Sequence, residues 1–322
     1  MEDIYSKASL VTAVLLPTAE KLNVRKEYDE LFGPHLTEYI LGTDHAQEKG
    51  QIQNILYKDA VAWQAMHVLE DVSLSYFQTE SDPIAMYWKF APQRYSFRLK
   101  ALREFLSNPW FERMWVLQEI ALAHSFRFMY GDITIPWQRV LEVTQVTTRN
   151  SGLAGPLFLS TDKIGHRKAL SAACETFPTI CRIRNAIRDD ENRSLATILL
   201  QCRNFKSTNP EDKLFAIPEK LLKPTESKNM TMETLLTNAA ECIVAEGDTA
   251  RMLAVAGIDS NGSSTLSRVL PSWVPNWPVT QTKTCLSFRN EGIDYHAGGL
   301  EPMQARIQDQ NLFVFGYSFD KV

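Results

Sequence analysis

The run from Asn108 to Ala123, Asn-Pro-Trp-Phe-Glu-Arg-Met-Trp-Val-Leu-Gln-Glu-Ile-Ala-Leu-Ala, limits what this chain can fold into more than any other stretch. It predicts one buried helix. Asn108 is suited to the N-cap, because its side-chain oxygen can accept a free backbone N–H, and loss of such a cap costs roughly 1 kcal/mol. Pro109 fits the first helical position, where no donor is lost and its φ is already helical. At 100° per residue, Trp110, Phe111, Met114, Trp115, Leu117, Gln118, Ala121 and Leu122 share one broad arc, too wide for a helix lying on a surface. Gln118 points into that arc and needs a partner from a neighbouring backbone, since an unsatisfied buried amide costs roughly 1 to 3 kcal/mol. Glu119 lies at the edge of the arc, one turn past Trp115, where its carboxylate can meet a cleft.

The flanking sequence predicts an α/β arrangement around this helix. Residues 2 to 8 read as a helix end, and Leu10 to Leu16 as a short strand closed by Pro17. A run apolar on both faces suits a strand inside a parallel sheet. Gln51 to about Gln78, with Ile52, Ile55, Leu56, Trp63, Met66 and Leu69, reads as a long helix, and Phe97 to Leu106 as a shorter one. Between them Pro83 and Pro92 mark the stretch 79–92 as a loop. Phe126 to Tyr130 alternates as a strand does, and after the turn Gly131-Asp132 a second strand, Ile133 to Ile135, leads into a helix near Pro136-Trp137. Strand, helices, strand is the order of a β-α-β crossover.

Glycines and Pro156 across 150–166 predict a boundary there, dividing the chain into 1–150 and 151–322. Helices are expected at about 168–187, 194–203, 210–218 and 232–246, the last ended by Gly247. The third has a capping-box spacing at Thr208 and Glu211, with Asn209-Pro210 as a competing cap. Short β segments follow at 284–289, 303–308 and 312–315, with Asp309-Gln-Asn311 as a hairpin turn.

Composition sets the outer limits. The 322 residues are 44% hydrophobic and 22% charged, which is globular material long enough for two packed units. The net charge of −4, from 34 basic and 38 acidic residues, implies neither nucleic acid nor an anionic membrane as a partner. No apolar run approaches the roughly 18 residues of a membrane span, and the start carries no leader pattern. Five cysteines without a C-x-x-C pair argue against a disulfide framework or a zinc site and fit a reducing cytoplasm. On such a chain the sequons at Asn192, Asn229 and Asn261 are chance matches. The six histidines have no ligand spacing, so no metal and no bound cofactor are expected. Nucleophile-elbow, P-loop and dinucleotide glycine motifs do not occur.

Trp110-Phe111, Arg113, Trp115-Val116 and Gln118-Glu119, followed by Ala121-Leu122-Ala123, resemble the "WF-x-R-x-W-x-x-Q-E" signature of fungal heterokaryon-incompatibility (HET) domains. Ile4-Tyr5-Ser6-x-Ala8, Asn209-Pro210-x-Asp212-Lys213-x-Phe215-Ala216 and Leu270-Pro-Ser-Trp-Val-Pro-Asn-Trp277 resemble the same family in the same order. The family's "LSY-x-WG" and "WID-x-x-C-I-N-Q" segments do not occur, so the resemblance implies a partial HET domain over 1–150 that lacks its first strands. It implies a TIR-like or Rossmann-like parallel sheet remnant with many helices. A mainly helical region and a small β-rich C-terminal part follow it. It also implies a cytoplasmic protein of nonself recognition and programmed cell death, self-associating or paired with another incompatibility protein.

HET domains look distantly like Toll/interleukin-receptor (TIR) domains, and Trp115 to Glu119 is similar to the "W-x-x-x-E" helix whose glutamate cleaves NAD. The resemblance thus implies Glu119 as a catalytic carboxylate, Trp115 as a dinucleotide-binding side chain and NAD as a substrate, in a complete domain; the shortened chain is expected to be inactive. The competing readings are a non-enzymatic self-associating module, or an inactive truncated product, with Glu119 as a structural helix carboxylate. Elsewhere the structural readings lead. Asp212-Lys213 suits a helix N-terminus and its dipole, Arg113 suits an ion pair with another element, and Trp137, Trp273 and Trp277 suit core packing. Cys174 and Cys181 read as buried thiols.

Overall fold

A computed structural model describes residues 2–16, 61–62, 64–69, 96–149, 164–189, 194–217, 231–256, 269–278 and 304–315. The chain forms two compact units, Met1–Arg182 and Ile183–Val322. Several expected features lie outside the described residues: the loop at 79–92, the stretch 151–163, the strand at 284–289, the three sequon asparagines and most of the helix at 51–78. Of that helix, residues 61–62 and 64–69 are helical, and Val61, Ala62, Ala65, Val68 and Leu69 are buried.

The first unit is built on a small mixed sheet. Helix α1 (Glu2–Lys7) precedes strand β1 (Val11–Leu15), which pairs in parallel with β2 (Phe126–Tyr130), Ala13 opposite Phe128 and Leu15 opposite Tyr130. Strand β3 (Ile133–Pro136) returns antiparallel along β2, with Phe128 opposite Ile135. Between β1 and β2 the chain passes through helix α2 (Ser96–Leu106), a 3-10 turn (Pro109–Glu112) and helix α3 (Val116–Ala121). Strand, helices and parallel strand thus follow the expected crossover order, and β3 makes the sheet mixed instead of parallel throughout. Beyond β3 lie helix α4 (Trp137–Arg149), opened by a half-buried Trp137, and the N-terminal part of helix α5 (Ile164–Arg188).

Strand β1 departs from its expected placement. Ala13 and Leu15 are buried on one face, but Val14 is 55% exposed on the other, and β2 is the one strand paired with β1 among the described residues. Strand β1 is therefore half-buried at a sheet edge, and its alternation follows the pleat. Across the exposed face Arg127 Nε donates to Thr12 Oγ1 at 3.2 Å.

Aromatic side chains fill the core beneath the sheet. Phe126, Phe128 and Tyr130 alternate inward from β2 and meet Phe105 of α2, Trp110 and Phe111 of the 3-10 turn, and Phe177 of α5. Phe128 lies at the centre, with ring centroids 5.0 to 5.6 Å from Phe105, Trp110, Phe111, Phe126 and Phe177, mostly edge to face. Such edge-to-face pairs contribute about 0.5 to 1.5 kcal/mol beyond the area they bury. Thr176 Oγ1 donates to the Phe111 carbonyl at 2.8 Å, fixing the 3-10 turn to α5.

In the second unit, helices α6 (Leu195–Gln201), α7 (Asp212–Phe215), α8 (Met232–Ala245) and α9 (Thr249–Leu253) precede a hairpin of β4 (Ala305–Gln308) and β5 (Asn311–Val314). Ser194 and Thr231 cap α6 and α8 through their hydroxyls, and Gly247 follows α8 at φ 82°, the left-handed geometry that suits glycine. Asp309 and Gln310 form the hairpin turn with φ of 51° and 63°. Trp273 and Trp277 are buried as expected, and Trp273 Nε1 donates to the Gln310 carbonyl at 2.9 Å. The expected helix at 210–218 is one turn instead, and the Thr208/Glu211 capping box does not form: Glu211 is itself in helical conformation without a side-chain cap bond.

Candidate functional site

The run 108–123 is not one helix. Asn108 and Pro109 start a helical turn as expected, with Asn108 Oδ1 accepting from the Trp110 N–H at 3.0 Å, but that turn is 3-10 and stops at Glu112. Arg113 is extended, at φ −78° and ψ 134°, and α3 begins only at Val116. Packing explains the break. Trp110, Phe111, Met114, Val116, Leu117, Gln118, Ile120 and Ala121 are all buried, more directions than one straight helix can present to one core. Bending the chain at Arg113 lets both short pieces bury their side chains.

The bend creates the site. Trp110 Nε1 donates to Glu119 Oε2 at 3.0 Å across nine residues. In an unbroken helix nine residues give two and a half turns and a rise of about 13 to 14 Å, which puts the two side chains on opposite faces. The Trp110 ring, 7% exposed, is stacked on Phe126 at 5.9 Å and 9° and meets Phe111 and Phe128 edge on. The donor is therefore held by the aromatic core, while the Glu119 carboxylate is half-exposed. An N–H bonded to a carboxylate is worth about 1.5 to 3 kcal/mol, more than a neutral pair.

Helix α1 brings a third group. The Tyr5 phenol ionises above the usual tyrosine range, first because of burial, then because of the Glu119 negative charge, and the Arg113 guanidinium opposes both. The Ile4-Tyr5-Ser6 and Trp110 to Glu119 motifs, a hundred residues apart in sequence, therefore meet around one carboxylate. Trp115 is half-buried one turn before Glu119, and its carbonyl accepts from the Glu119 N–H at 3.3 Å. Arg113 is exposed and makes no ion pair among the described residues, in contrast to the expected one; its charge acts on Tyr5 instead. The arrangement offers a half-exposed carboxylate, a phenol and a guanidinium on one side of an aromatic core. Trp110 and Tyr5 are the members that sequence reasoning passed over. A continuous helix excludes the first, and only the family motif marks the second.

The second unit holds a cation pair of a different kind. Lys213 is 5% exposed and donates Nζ to the carbonyls of Arg203, at 3.0 Å, and Phe205. Burial pulls its ammonium down to about 8 and the Arg203 guanidinium to about 10. Asp212 opens α7 as expected, while Lys213 in the same turn points inward to bind the 203–205 backbone. Arg203 also stands over the Trp277 ring, 5.8 Å from its centroid. Burial pushes the thiols of Cys174 and Cys202 up to about 12, so neither is a nucleophile at neutral pH. Cys174 and Cys181 are buried as expected.

Among the described residues no group of three histidine, cysteine or acidic side chains could hold a metal ion, and no helix is long and apolar enough to cross a membrane. Residues 1–119 match the family model "Heterokaryon incompatibility protein (HET)", a match that ends on Glu119. No curated protein and no solved structure matches the chain.

Proposed function

We propose, from the premise that residues 1–119 make this a heterokaryon incompatibility (HET) domain-containing protein, that its part in that fungal cell-death process is the cleavage of NAD at Glu119. The observation that carries the reading is the half-exposed Glu119 carboxylate, held on one oxygen by a buried indole with Tyr5 and Arg113 beside it. Breaking the bond between ribose C1′ and the nicotinamide nitrogen sends the bonding pair to the pyridinium ring, which leaves neutral. The ribose passes through an oxocarbenium-like state that a carboxylate stabilises or traps. Water then adds its hydroxyl to C1′ and releases a proton, giving ADP-ribose. Half-exposed Trp115, one turn away, suits the face of a nicotinamide or adenine ring. NAD is a substrate here, and the reading needs no bound cofactor. TIR-like chemistry of this kind serves nonself recognition in the cytoplasm, where thiols such as those of Cys174 and Cys202 stay reduced. The test is NAD consumption with nicotinamide release by the chain, alone and joined to the first strands that the family's domain carries. Glu119→Gln should lower the rate about 10²- to 10³-fold. Equal rates with and without the carboxylate, or no cleavage by either folded form, overturn it.

A second reading has its own observation. Ile4, Leu10, Val14 and Leu16 are 68%, 41%, 55% and 67% exposed on α1 and along β1, whose outer edge is unpaired among the described residues. An apolar edge strand is a template for a second copy. This reading makes the protein a non-enzymatic module that signals by self-association, or by pairing with another incompatibility protein. Sedimentation of wild type beside Val14→Lys decides it: association that the lysine abolishes supports it, and a concentration-independent monomer with a sharp cooperative melt removes it.

A further inference from the structure

We infer that Trp110 is the positioning residue for Glu119: its indole N–H fixes carboxylate oxygen Oε2 and leaves Oε1 as the oxygen that meets the substrate. The inference rests on Glu119 being the reactive carboxylate of the proposed cleavage. Among the described residues this hydrogen bond, at 3.0 Å, is the one that the Glu119 side chain accepts. The donor cannot follow the carboxylate if it swings. Its ring is clamped flat on Phe126 and edge on by Phe111 and Phe128, and the backbone below it is pinned by the Asn108 cap and by Thr176 on Phe111. A glutamate with three side-chain torsions otherwise samples many rotamers, and ordering it costs free energy at each turnover. A rigid donor on one oxygen removes most of that freedom before substrate arrives. The neutral indole also keeps the carboxylate's charge available to a developing cation, where a lysine or arginine in its place would neutralise it.

The test reads geometry and chemistry separately, on the whole chain. In a ¹H–¹⁵N spectrum the Trp110 indole signal should lie in the hydrogen-bonded range. Glu119→Ala should move it and speed its exchange with deuterium about ten-fold. Trp110→Phe keeps an aromatic ring and removes the N–H; it should lower kcat about ten-fold or more with KM within about two-fold, and the loss should vanish in a Glu119→Gln background. Phe105→Leu disturbs the same aromatic core without touching the Trp110 ring, so its kcat should stay near wild type. Should Trp110→Phe fail to fold, the Glu119→Ala indole shift carries the same comparison. An indole signal indifferent to Glu119, or Trp110→Phe and Phe105→Leu losing kcat equally, overturns the inference while cleavage itself stands. A responsive indole in a wild-type chain that cleaves no NAD in either form removes the enzymatic reading and the positioning role with it.

Discussion

Lys213 Nζ donates to the carbonyl oxygen of Arg203 at 3.0 Å, a buried ammonium serving the backbone ten residues before it. The Phe205 carbonyl accepts from the same nitrogen, so one side chain closes the turn between α6 and α7. In the unfolded chain Lys213 keeps its proton up to the usual 10.5, and in the folded chain up to about 8. Between those values the unfolded state binds more protons, so this group's contribution to stability rises with pH; below about 8 both states are charged and it is flat. The Cys202 thiol works in the opposite sense above its ordinary 9.0, since burial delays its ionisation to about 12. The stability of wild type minus that of Lys213→Met should therefore increase from about pH 8 to about pH 9 by on the order of 1 kcal/mol. Urea unfolding of both proteins across that interval checks it, and a flat difference would show that the ammonium is not desolvated.

Tyr5 reports on the candidate site without any turnover. Glu119 raises its ionisation and Arg113 lowers it. Ultraviolet titration, with the other tyrosines subtracted by a Tyr5→Phe control, should show the Tyr5 midpoint falling in Glu119→Gln and rising in Arg113→Gln. Movement of neither would place α1 away from α3.

Phe128 carries the largest packing prediction. Its ring touches five aromatic neighbours and is fully buried, so Phe128→Ala should cost about 3 to 5 kcal/mol by denaturant unfolding. Val14→Thr, on the exposed face of the same sheet, should change stability by less than about 0.5 kcal/mol.

Gln310 sits at φ 63° in the β4–β5 turn, where a side chain is disfavoured and glycine is not. The acceptor for Trp273 is its backbone carbonyl, which survives substitution. Gln310→Gly should stabilise the second unit by a few tenths to about 1 kcal/mol, seen as a higher thermal midpoint.

Local patterns carried the sequence reading wherever one face or one turn decides the structure. Alternation at Phe126, Phe128 and Tyr130 places β2, Asp309-Gln310 places the hairpin, and Gly247 ends α8. The reading failed where long-range packing overrides local preference. Nothing local to Glu112-Arg113-Met114 forbids a helix, and the 100° periodicity holds straight through it; only competition between two buried faces breaks it. Lys213 failed for a related reason, because a lysine's preference for water yields to two carbonyls that no sequence pattern displays. Trp110 could not be assigned to Glu119 from sequence, since their spacing is wrong for the one regular structure the run suggests.

The extended residue at 113 also changes what kind of alteration the tryptophan–glutamate pair can withstand. A pair on one helix depends on angular phase and rise together, so it needs its members three or four residues apart and dislikes glycine. A pair joined across a fold-back depends on contour length. Substitutions at Arg113, Met114 and Trp115 that respect burial should leave the indole within reach of the carboxylate. A single residue inserted in that connector advances α3 by about a quarter turn and swings Glu119 off its donor, whatever the residue inserted. The signature is in that sense a ruler: the count of residues between its two ends matters more than the chemistry of those in the middle.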